Sequence, residues 1–357
     1  MKVGTGLAVG AEAQASLAAQ AVAMAMAAAD TDLPTSVLLF LTAEFARAPQ
    51  LALQAAARTA SCTQIMGCSA TGIFTEQDWV IDAPAAAAMV FADNIGLQPA
   101  ADSTADELLL ALTAPNAIDI RWMATPAPRF GGGSGDATGQ GPFSVWQHGR
   151  GLASGHCEAR LSGAHGRARA THGLRLLDRP RRVKHSQGYD LHQLDEIPAS
   201  QTLRLACTGE QPEPPPHRLM AVYAETPQAI DRGDYSLTAL VGQDEQRGSV
   251  TVARPINPGD FLCWAVRDAE AAIEGLERTA AELETELATQ PRFGLLFSCL
   301  GRGPYLYGGV DRDLQLLQQK FPDMPLIGFY GNGEIAPRGS GSELLQYSAV
   351  LGLFGDV

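Results

Sequence analysis

The sequence has little positive charge. Its 26 Lys and Arg residues are outnumbered by 39 Asp and Glu residues, which gives a formal net charge of -13 over 357 residues. A surface of this sign repels nucleic acid and anionic lipid. The composition therefore argues against both partners, and we expect no nucleic-acid binding and no membrane association.

Long hydrophobic runs are also lacking. The alanine-rich residues 12–30 have some features of a secretory leader, but four polar residues interrupt the stretch: Glu12, Gln14, Ser16 and Gln20. The uninterrupted run Ala21–Ala29 is far below the roughly 20 residues that a membrane span needs. We therefore expect a buried helix here and a cytoplasmic location.

Paired cysteines are missing as well. No C-x-x-C pair occurs among the six cysteines, which are Cys62, Cys68, Cys157, Cys207, Cys263 and Cys299. A chain that is 46% hydrophobic can bury an ordinary core without cross-links. We expect reduced thiols, as in most cytoplasmic proteins.

Proline marks the strongest boundary in the chain. Residues 209–216 contain four prolines, so this segment can join neither a helix nor the middle of a sheet and should be extended. The sequence therefore predicts domains at residues 1–208 and 217–357, joined by a Pro-rich linker at residues 209–216.

The two ends of the sequence carry related patterns. An apolar strand at Leu38–Phe40 leads through a helical stretch to a second strand at Ile65–Cys68, and Leu295–Phe297 and Leu326–Phe329 repeat this arrangement. In both copies the closing glycine is followed five positions on by another glycine. We interpret the pattern as a duplicated strand-helix-strand unit whose strand ends face one pocket, which suits a small ligand. The predicted fold class is α/β, with mixed, partly antiparallel sheets flanked by helices, in two related halves.

Further elements follow from local patterns. Thr104 and Glu107 have the spacing of a capping box at the start of a short helix. After the linker, residues 219–224, 235–241, 249–253 and 261–266 predict strands, and the last three form a meander. Asp268 then caps a helix, and residues 344–354 predict a final strand.

The densest motif surrounds Arg302. Gly301 and Gly303 flank this arginine after a buried strand that ends at Cys299, so the backbone can turn sharply and the guanidinium can grip a carboxylate or phosphate with two prongs. Tyr305 follows two positions after Gly303. The alternative is a tight turn whose arginine is merely solvated.

A partner motif follows the second strand of the same copy. Asn332 and Glu334 lie among three glycines, so Glu334 and Arg302 would project from neighbouring strand ends. Arg302 would then bind the carboxylate of an amino-acid-like ligand, and Glu334 with Asn332 would bind its ammonium. The alternative is a simple ion pair between Arg302 and Glu334.

The first copy supplies Cys68 and Ser69 at the corresponding turn. Ser69 lacks the G-x-S-x-G elbow of a hydrolase because Thr71 occupies the second glycine position. Cys299 or Cys68 could act as a nucleophile, but a thiol at an apolar strand end is more often inert. A cysteine-dependent enzyme using Cys299 stays open as an alternative.

Histidine gives no metal signature. Six of the seven histidines lie between residues 148 and 192, and none has the helical spacing of a zinc site. We expect no cofactor. A single axial histidine for haem needs no motif, so a haem-binding sensor remains an alternative.

These motifs resemble the FIST family, named for F-box and intracellular signal transduction proteins. The resemblance covers nearly the whole sequence and is carried by Val37–Phe40, Ile65–Ser69, Thr171–Arg175, Gly233–Tyr235, Phe297–Gly303 and Gly328–Ile335. It departs from the family pattern at residues 111–141, where a fuller strand-helix-strand segment is usual. Here only Phe130–Ser134 is evident, which puts the first half-site in doubt.

The resemblance implies a bacterial sensory protein. Such proteins are thought to sense small molecules, amino acids among them, and to report to kinases or cyclic-dinucleotide enzymes; some members hold haem and sense nitric oxide. No kinase or cyclase pattern follows within the sequence, so the expected output partner is a separate signalling protein. A scaffold without a ligand is a further alternative.

The sequence thus predicts a sensor without catalytic activity. Its ligand would be an amino acid or a similar carboxylated metabolite, bound between the two related halves. The predicted binding residues are Cys299, Arg302, Tyr305, Asn332, Glu334, Cys68 and Ser69.

Overall fold

The fold is taken from a computed structural model that describes residues 2–100, 107–339 and 341–356. Thr104, the predicted cap of a short helix, lies outside these ranges. No helix within them is long and apolar enough to cross a membrane.

The strands are numbered in chain order. The first thirteen are β1 (Lys2–Val9), β2 (Ser36–Thr42), β3 (Ile65–Ala70), β4 (Gly72–Thr75), β5 (Trp79–Ile81), β6 (Ala85–Ala92), β7 (Gly96–Pro99), β8 (Leu109–Thr113), β9 (Arg129–Gly133), β10 (Val145–Gln147), β11 (Arg150–Gly151), β12 (His156–Ser162) and β13 (Ala164–Thr171). The next eight are β14 (Leu174–Leu176), β15 (Arg181–Gln187), β16 (Asp190–Leu194), β17 (Ile197–Pro198), β18 (Leu219–Ala224), β19 (Ser236–Asp244), β20 (Ser249–Val252) and β21 (Phe261–Arg267). The last five are β22 (Phe293–Cys299), β23 (Leu326–Gly331), β24 (Glu334–Arg338), β25 (Gly341–Leu345) and β26 (Ala349–Asp356).

The α-helices lie between these strands. They are α1 (Ala15–Ala28), α2 (Gln50–Ala60), α3 (Ile120–Ala124), α4 (Ala199–Cys207), α5 (Pro227–Asp231), α6 (Ala269–Leu287), α7 (Gly303–Leu306) and α8 (Arg312–Lys320). Helix α1 is the predicted alanine-rich helix, with five buried residues along it. The predicted cap of α6 is confirmed, because the Ala271 amide donates to Asp268 Oδ1 at 2.9 Å.

Packing divides the chain into two compact units. The larger unit comprises Met1–His172 and Ile273–Val357, and the smaller unit comprises Gly173–Ala272. Residues 209–216 lie within the smaller unit. The domains predicted from the sequence at residues 1–208 and 217–357 stay a prediction.

Three six-stranded sheets build the larger unit. The first sheet has the order β1-β6-β2-β3-β10-β11, the second β7-β12-β8-β9-β24-β25 and the third β13-β26-β22-β23-β4-β5. Their facing sides share one core, in which Phe297 of the third sheet meets Phe40 of the first at 6.3 Å and Phe130 of the second at 5.9 Å between ring centroids. The α/β class with mixed sheets is confirmed.

Both strand pairs predicted from the sequence form. Strands β2 and β3 are parallel, with Leu39 opposite Gly67, and β22 and β23 are parallel, with Leu296 opposite Gly328. All four strands are buried along their whole length, as expected for parallel strands covered on both faces. Their duplication stays a prediction.

The structure retains more of residues 111–141 than the sequence indicates. Strand β8, helix α3 and strand β9 form a short strand-helix-strand segment, and the two strands are parallel. Asp119 caps α3 by accepting from the amides of Arg121 and Trp122. A strand-helix-strand segment is therefore present here.

The smaller unit is an antiparallel barrel. Strands β21, β15, β16, β20, β19 and β18 follow one another, and β18 pairs back to β21 to close the ring. Trp264 fills its core, and the indole Nε1 donates to Thr202 of α4 at 3.0 Å. The predicted strands at residues 219–224, 235–241, 249–253 and 261–266 are confirmed. The predicted meander of the last three is wrong, because β20 pairs with β19 and β16, whereas β21 pairs with β14, β15 and β18.

The predicted final strand is wrong in one respect. Residues 344–354 do not form one strand, because β25 ends at Leu345 and β26 begins at Ala349. Tyr347 lies between them with a positive φ of 56°, a conformation that interrupts a strand.

Candidate functional site

The candidate site lies in the larger unit, where strands β22 and β23 end. The parallel orientation of these strands brings Cys299 and Gly331 opposite each other. The segments after them, residues 300–302 and 332–334, carry the arginine and the carboxylate singled out in the sequence. Both side chains are buried, each 1% exposed.

Arg302 binds a carboxylate of its own chain. Its Nε and Nη2 donate to the two oxygens of Asp313 at 2.6 and 3.1 Å, and its Nη1 donates to the Thr171 carbonyl at 3.1 Å. Burial alone would lower the pKa of the guanidinium, but the adjacent Asp313 outweighs this effect and leaves the pKa above its ordinary value. The two-pronged grip predicted for a ligand is thus made with Asp313.

Two tyrosines and a second aspartate extend this cluster. Tyr307 donates to Asp313 at 2.5 Å, and Tyr330 donates to Asp311. Burial and the neighbouring Asp313 raise the pKa of Asp311 to about 6. Asp311 also caps α8 by accepting from the Leu314 amide at 2.9 Å. The cluster therefore anchors α8 to the strand ends.

Glu334 occupies a different surrounding. Its Oε2 accepts from the hydroxyl and the amide of Ser348 at 2.6 and 3.3 Å, whereas its Oε1, also buried, has no hydrogen-bond partner among the described residues. The side chain lies on the same face of β24 as Ala336, which belongs to the shared core. A buried acceptor left unpaired costs about 1–3 kcal/mol.

Burial sets the protonation of this site. It raises the pKa of Glu334 to about 8, although the bonds from Ser348 and the charge of Arg302 partly oppose the rise. Burial likewise lowers the pKa of His172 to about 4, helped by the charges of Arg302 and Arg338. Near neutral pH the carboxyl group is therefore largely protonated and the imidazole uncharged.

Asn332 lies between these groups and the second sheet. Its amide donates to the Gly133 carbonyl at 3.2 Å, and its side-chain Nδ2 donates to the Asp136 carbonyl at 3.4 Å. Thr71, from the first strand pair, is close by, because its amide donates to the Tyr330 carbonyl at 3.2 Å. Strand ends from both predicted copies therefore do meet here.

The predicted residues of the first copy are buried. Cys68 is fully enclosed, and burial raises the pKa of its thiol well above the ordinary value, so it is a poor nucleophile. Ser69 Oγ lies 3.0 Å from Ser134 Oγ and accepts from the Ser144 amide at 3.1 Å. Its hydroxyl is engaged in the packing of the loop at residues 134–144.

The last two predicted residues differ in exposure. Cys299 is buried, and its amide donates to the Ser348 carbonyl at 2.9 Å, which places its backbone beside Ser348. Tyr305 lies on α7 and is 59% exposed. Glu334 and Cys299 therefore both contact Ser348, whereas Tyr305 faces solvent.

Two sizeable clefts lie elsewhere. A cleft of about 580 Å³ in the larger unit has charged walls that include Lys2, Arg292 and Lys320, and one of about 840 Å³ in the smaller unit contains His217. Neither is lined by a predicted binding residue. His172 lines neither cleft, and His217 is exposed.

Sequence reasoning missed three residues of this site. Asp313 carries the partner charge for Arg302, Ser348 holds Glu334, and His172 follows the strand that accepts from Arg302. Asp313 stands in the first turn of α8, where an acidic residue has an ordinary explanation as a partner of the helix dipole. The sequence signal for Ser348 is its position directly before a buried strand.

Comparison with known proteins gives a consistent result. The FIST N domain model matches residues 35–197, and the FIST C domain model matches residues 196–337. Together these matches account for most of the chain.

The chain belongs to the FIST family. FIST domains are sensory domains of signal transduction. An uncharacterized protein of Mycobacterium tuberculosis is 28% identical over 269 residues, which cover 71% of this chain and 70% of that protein. One from Mycobacterium bovis is 30% identical over 210 residues, covering 57% and 54%, and F-box only protein 22 of Pongo abelii is 37% identical over 73 residues, covering 20% and 17%.

Proposed function

We propose that this FIST protein senses a small molecule, without catalysis, at the site formed by Glu334, Ser348 and Cys299. The ligand is an amino acid or a similar carboxylated metabolite. The observation that supports this proposal most directly is the buried Glu334 oxygen that has no partner among the described residues. A ligand N–H group would supply the missing donor.

The ammonium group of an amino acid suits this carboxyl group. Near pH 7 Glu334 is largely protonated, because its pKa is about 8. An ammonium beside it would favour the ionised form and displace the proton, so binding and proton release are linked. Affinity would then rise up to about tenfold per unit between pH 6 and 8.

Arg302 supplies the positive potential for the other end of the ligand. Its guanidinium is close enough to lower the pKa of Glu334, although its donors already bind Asp313 and Thr171. The ligand carboxylate would either face this field or replace Asp313. Asn332, Cys68, Ser69 and Tyr305 stay predicted binding residues in this proposal.

Ligand entry requires movement of the strand-end segments. Arg302 and Glu334 are 1% exposed, so the closed arrangement leaves no path from solvent to either side chain. A sensor benefits from such an arrangement, because a ligand that binds only an opened state shifts the population toward that state. A separate cytoplasmic signalling protein, such as a kinase or a cyclic-dinucleotide enzyme, would read the change.

Thermal shift against amino acids and other carboxylated metabolites tests the proposal. A ligand at 100 times its Kd should stabilise the protein by about 2.7 kcal/mol. Calorimetry on Arg302→Ala, with exposed Arg247→Ala as the matched control, should show weakened binding in the first variant and unchanged binding in the second. Unchanged affinity in Arg302→Ala would remove Arg302 from the site.

The cysteine-dependent alternative has its own test. Cys299 is the predicted nucleophile that lies within the site, whereas Cys68 has a raised pKa. An enzyme would show alkylation of Cys299 much faster than that of the other five thiols. Uniform, slow labelling would favour the binding protein.

A further inference from the structure

The larger unit contains a third strand pair of the same kind. Strands β8 and β9 are parallel with Ala111 opposite Gly131, as Leu39 is opposite Gly67 and Leu296 is opposite Gly328. A Cβ atom on any of the three glycines would lie 1.7–1.8 Å from the carbonyl oxygen of its opposite residue. The same close approach therefore occurs once in each sheet.

Each pair also has the same neighbours. In every sheet, two antiparallel strands precede the parallel pair and an antiparallel hairpin follows it. The hairpin that follows each parallel pair along the chain joins a different sheet from that pair. Hairpin β4–β5 follows β3 but joins the third sheet. Hairpin β24–β25 follows β23 but joins the second, and hairpin β10–β11 follows β9 but joins the first. The exchange closes into a ring of three.

Three matching backbone hydrogen bonds connect the members of this ring. The Thr71 amide donates to Tyr330, the Asn332 amide donates to Gly133, and the Gly135 amide donates to Ser69, at 3.2, 3.2 and 3.3 Å. In all three bonds the donor stands at the same sequence separation from the paired glycine before it, and so does the acceptor. We infer that the larger unit contains three repeats, whose described residues are 2–92 in the first, 96–100 and 107–162 in the second, and 164–171, 273–339 and 341–356 in the third.

This symmetry provides internal controls for Glu334. Glu334, Ile73 and Val145 occupy corresponding positions in the three repeats. They lie opposite Gly132, Phe329 and Cys68, and each of these three residues directly follows a paired glycine. Ile73 and Val145 are buried and belong to the shared core. The fold therefore accommodates an aliphatic side chain at this position.

The residue that holds Glu334 has apolar counterparts too. Ser298, Leu41 and Thr113 stand at corresponding positions of the three parallel pairs, and they lie opposite Ala349, Ala86 and His156. The residues that directly precede Ala349, Ala86 and His156 therefore correspond to one another as well. Those preceding residues are Ser348, Ala85 and Gly155. The repeats without the carboxyl group thus also lack the serine that binds it.

We propose that the third repeat has converted one of three equivalent positions into a binding site for an amine or another cationic N–H donor, recognised by Glu334 and Ser348. This assignment rests on the proposed function for its ligand. A buried carboxyl group costs stability where a hydrocarbon side chain serves, and such a cost is typical of functional positions. The other two positions are structural, so the expected stoichiometry is one ligand per chain.

The decisive variant exchanges the residues between repeats. Glu334→Ile combined with Ser348→Ala recreates the pair found in the first repeat, and we expect the melting temperature to rise by about 2–4 °C. Glu334→Gln, which keeps the shape of the side chain, should change it less. Ile73→Glu is the reciprocal control and should lower it, because no serine is available there.

Propylammonium chloride is the ligand probe, with sodium propionate as its matched anion. Propylammonium should raise the melting temperature of the native protein but not that of Glu334→Gln, and propionate should have no such Glu334-dependent effect. Absence of an amine response in the native protein would overturn the ligand class.

The two proposals can fail separately. One outcome is that the double variant Glu334→Ile, Ser348→Ala and the single variant Glu334→Gln both clearly destabilise the protein. Glu334 is then a structural residue and this inference is overturned. The proposed function would survive that result, because a sensor could still bind its ligand elsewhere. If the exchanged variant is stabilised and propylammonium binds, but no amino acid or carboxylated metabolite does, this inference stands and the proposed ligand is wrong.

Discussion

Two strand pairs of the larger unit share their geometry and differ in the residues that come after them. Strands β2 and β3 lead to Ile73, which joins the shared core, whereas β22 and β23 lead to Glu334, which is buried at the corresponding place. A second difference is the buried ion pair of Arg302 and Asp313 beside the later pair. The comparison shows that the strand arrangement itself requires none of these charges.

Breaking the ion pair should have the largest effect. Asp313→Ala leaves the Arg302 guanidinium buried without its carboxylate, which is expected to lower the free energy of unfolding by about 3–5 kcal/mol. Chemical denaturation measures the change, and the exposed Asp323→Ala serves as control. A loss below about 1 kcal/mol would mean that the buried cluster contributes little to stability.

Changing the paired glycines should affect both strand pairs alike. Gly67→Ala and Gly328→Ala place a Cβ atom 1.7 and 1.8 Å from the carbonyl oxygens of Leu39 and Leu296. Each should cost about 1–3 kcal/mol or more, as overpacking does, and the two costs should agree within about 1 kcal/mol. Gly151→Ala, where a Cβ meets no atom within 4 Å, should be nearly neutral. Very different costs at Gly67 and Gly328 would separate the two pairs.

The pH dependence of stability should distinguish the polar region from its apolar counterpart. Glu334 has a folded pKa of about 8 against an ordinary value of 4.5, so the folded protein holds an extra proton between these values and loses stability as the pH rises through that window. Glu334→Gln should remove this slope. Denaturation midpoints measured from pH 5 to 8 test it, and an unchanged slope would exclude Glu334 as its source.

His172 provides the opposite sign. Its folded pKa of about 4 lies below the ordinary 6.5, so the unfolded chain binds the extra proton and stability falls as the pH drops from 6.5 to 4. His172→Gln should flatten that limb of the same curve. The stability of the native protein should therefore show both pH effects, whereas each variant should lack one of them.

The sequence predicted those parts of the fold that local patterns determine. The strand at residues 36–42 is a continuous buried run, and the helix at residues 269–287 has its cap and its apolar face in the sequence. The resemblance to the FIST family, carried by the Gly328–Ile335 region above all, was confirmed as well. Pairings between distant strands, such as β4 with β23, depend on the whole sheet and leave no local signal.

The candidate site was predicted less fully for the same reason. Arg302 and Glu334 stand in conspicuous glycine-rich segments, but their partners Asp313 and Ser348 have ordinary local explanations. The sequence also suggested two copies of a unit where three matching strand pairs occur. The pair at β8 and β9 is shorter, and its first strand has five residues, so its periodicity is too brief to recognise.

The exchanged hairpins have a practical consequence for dissecting the protein. The FIST N and FIST C matches meet at residues 196–197, yet β4 from the first match completes the sheet of β22 and β23 from the second. Either half expressed by itself would present strand edges whose natural neighbours are on the missing half, and such edges promote aggregation. The two family segments are therefore expected to fold together rather than as independent halves.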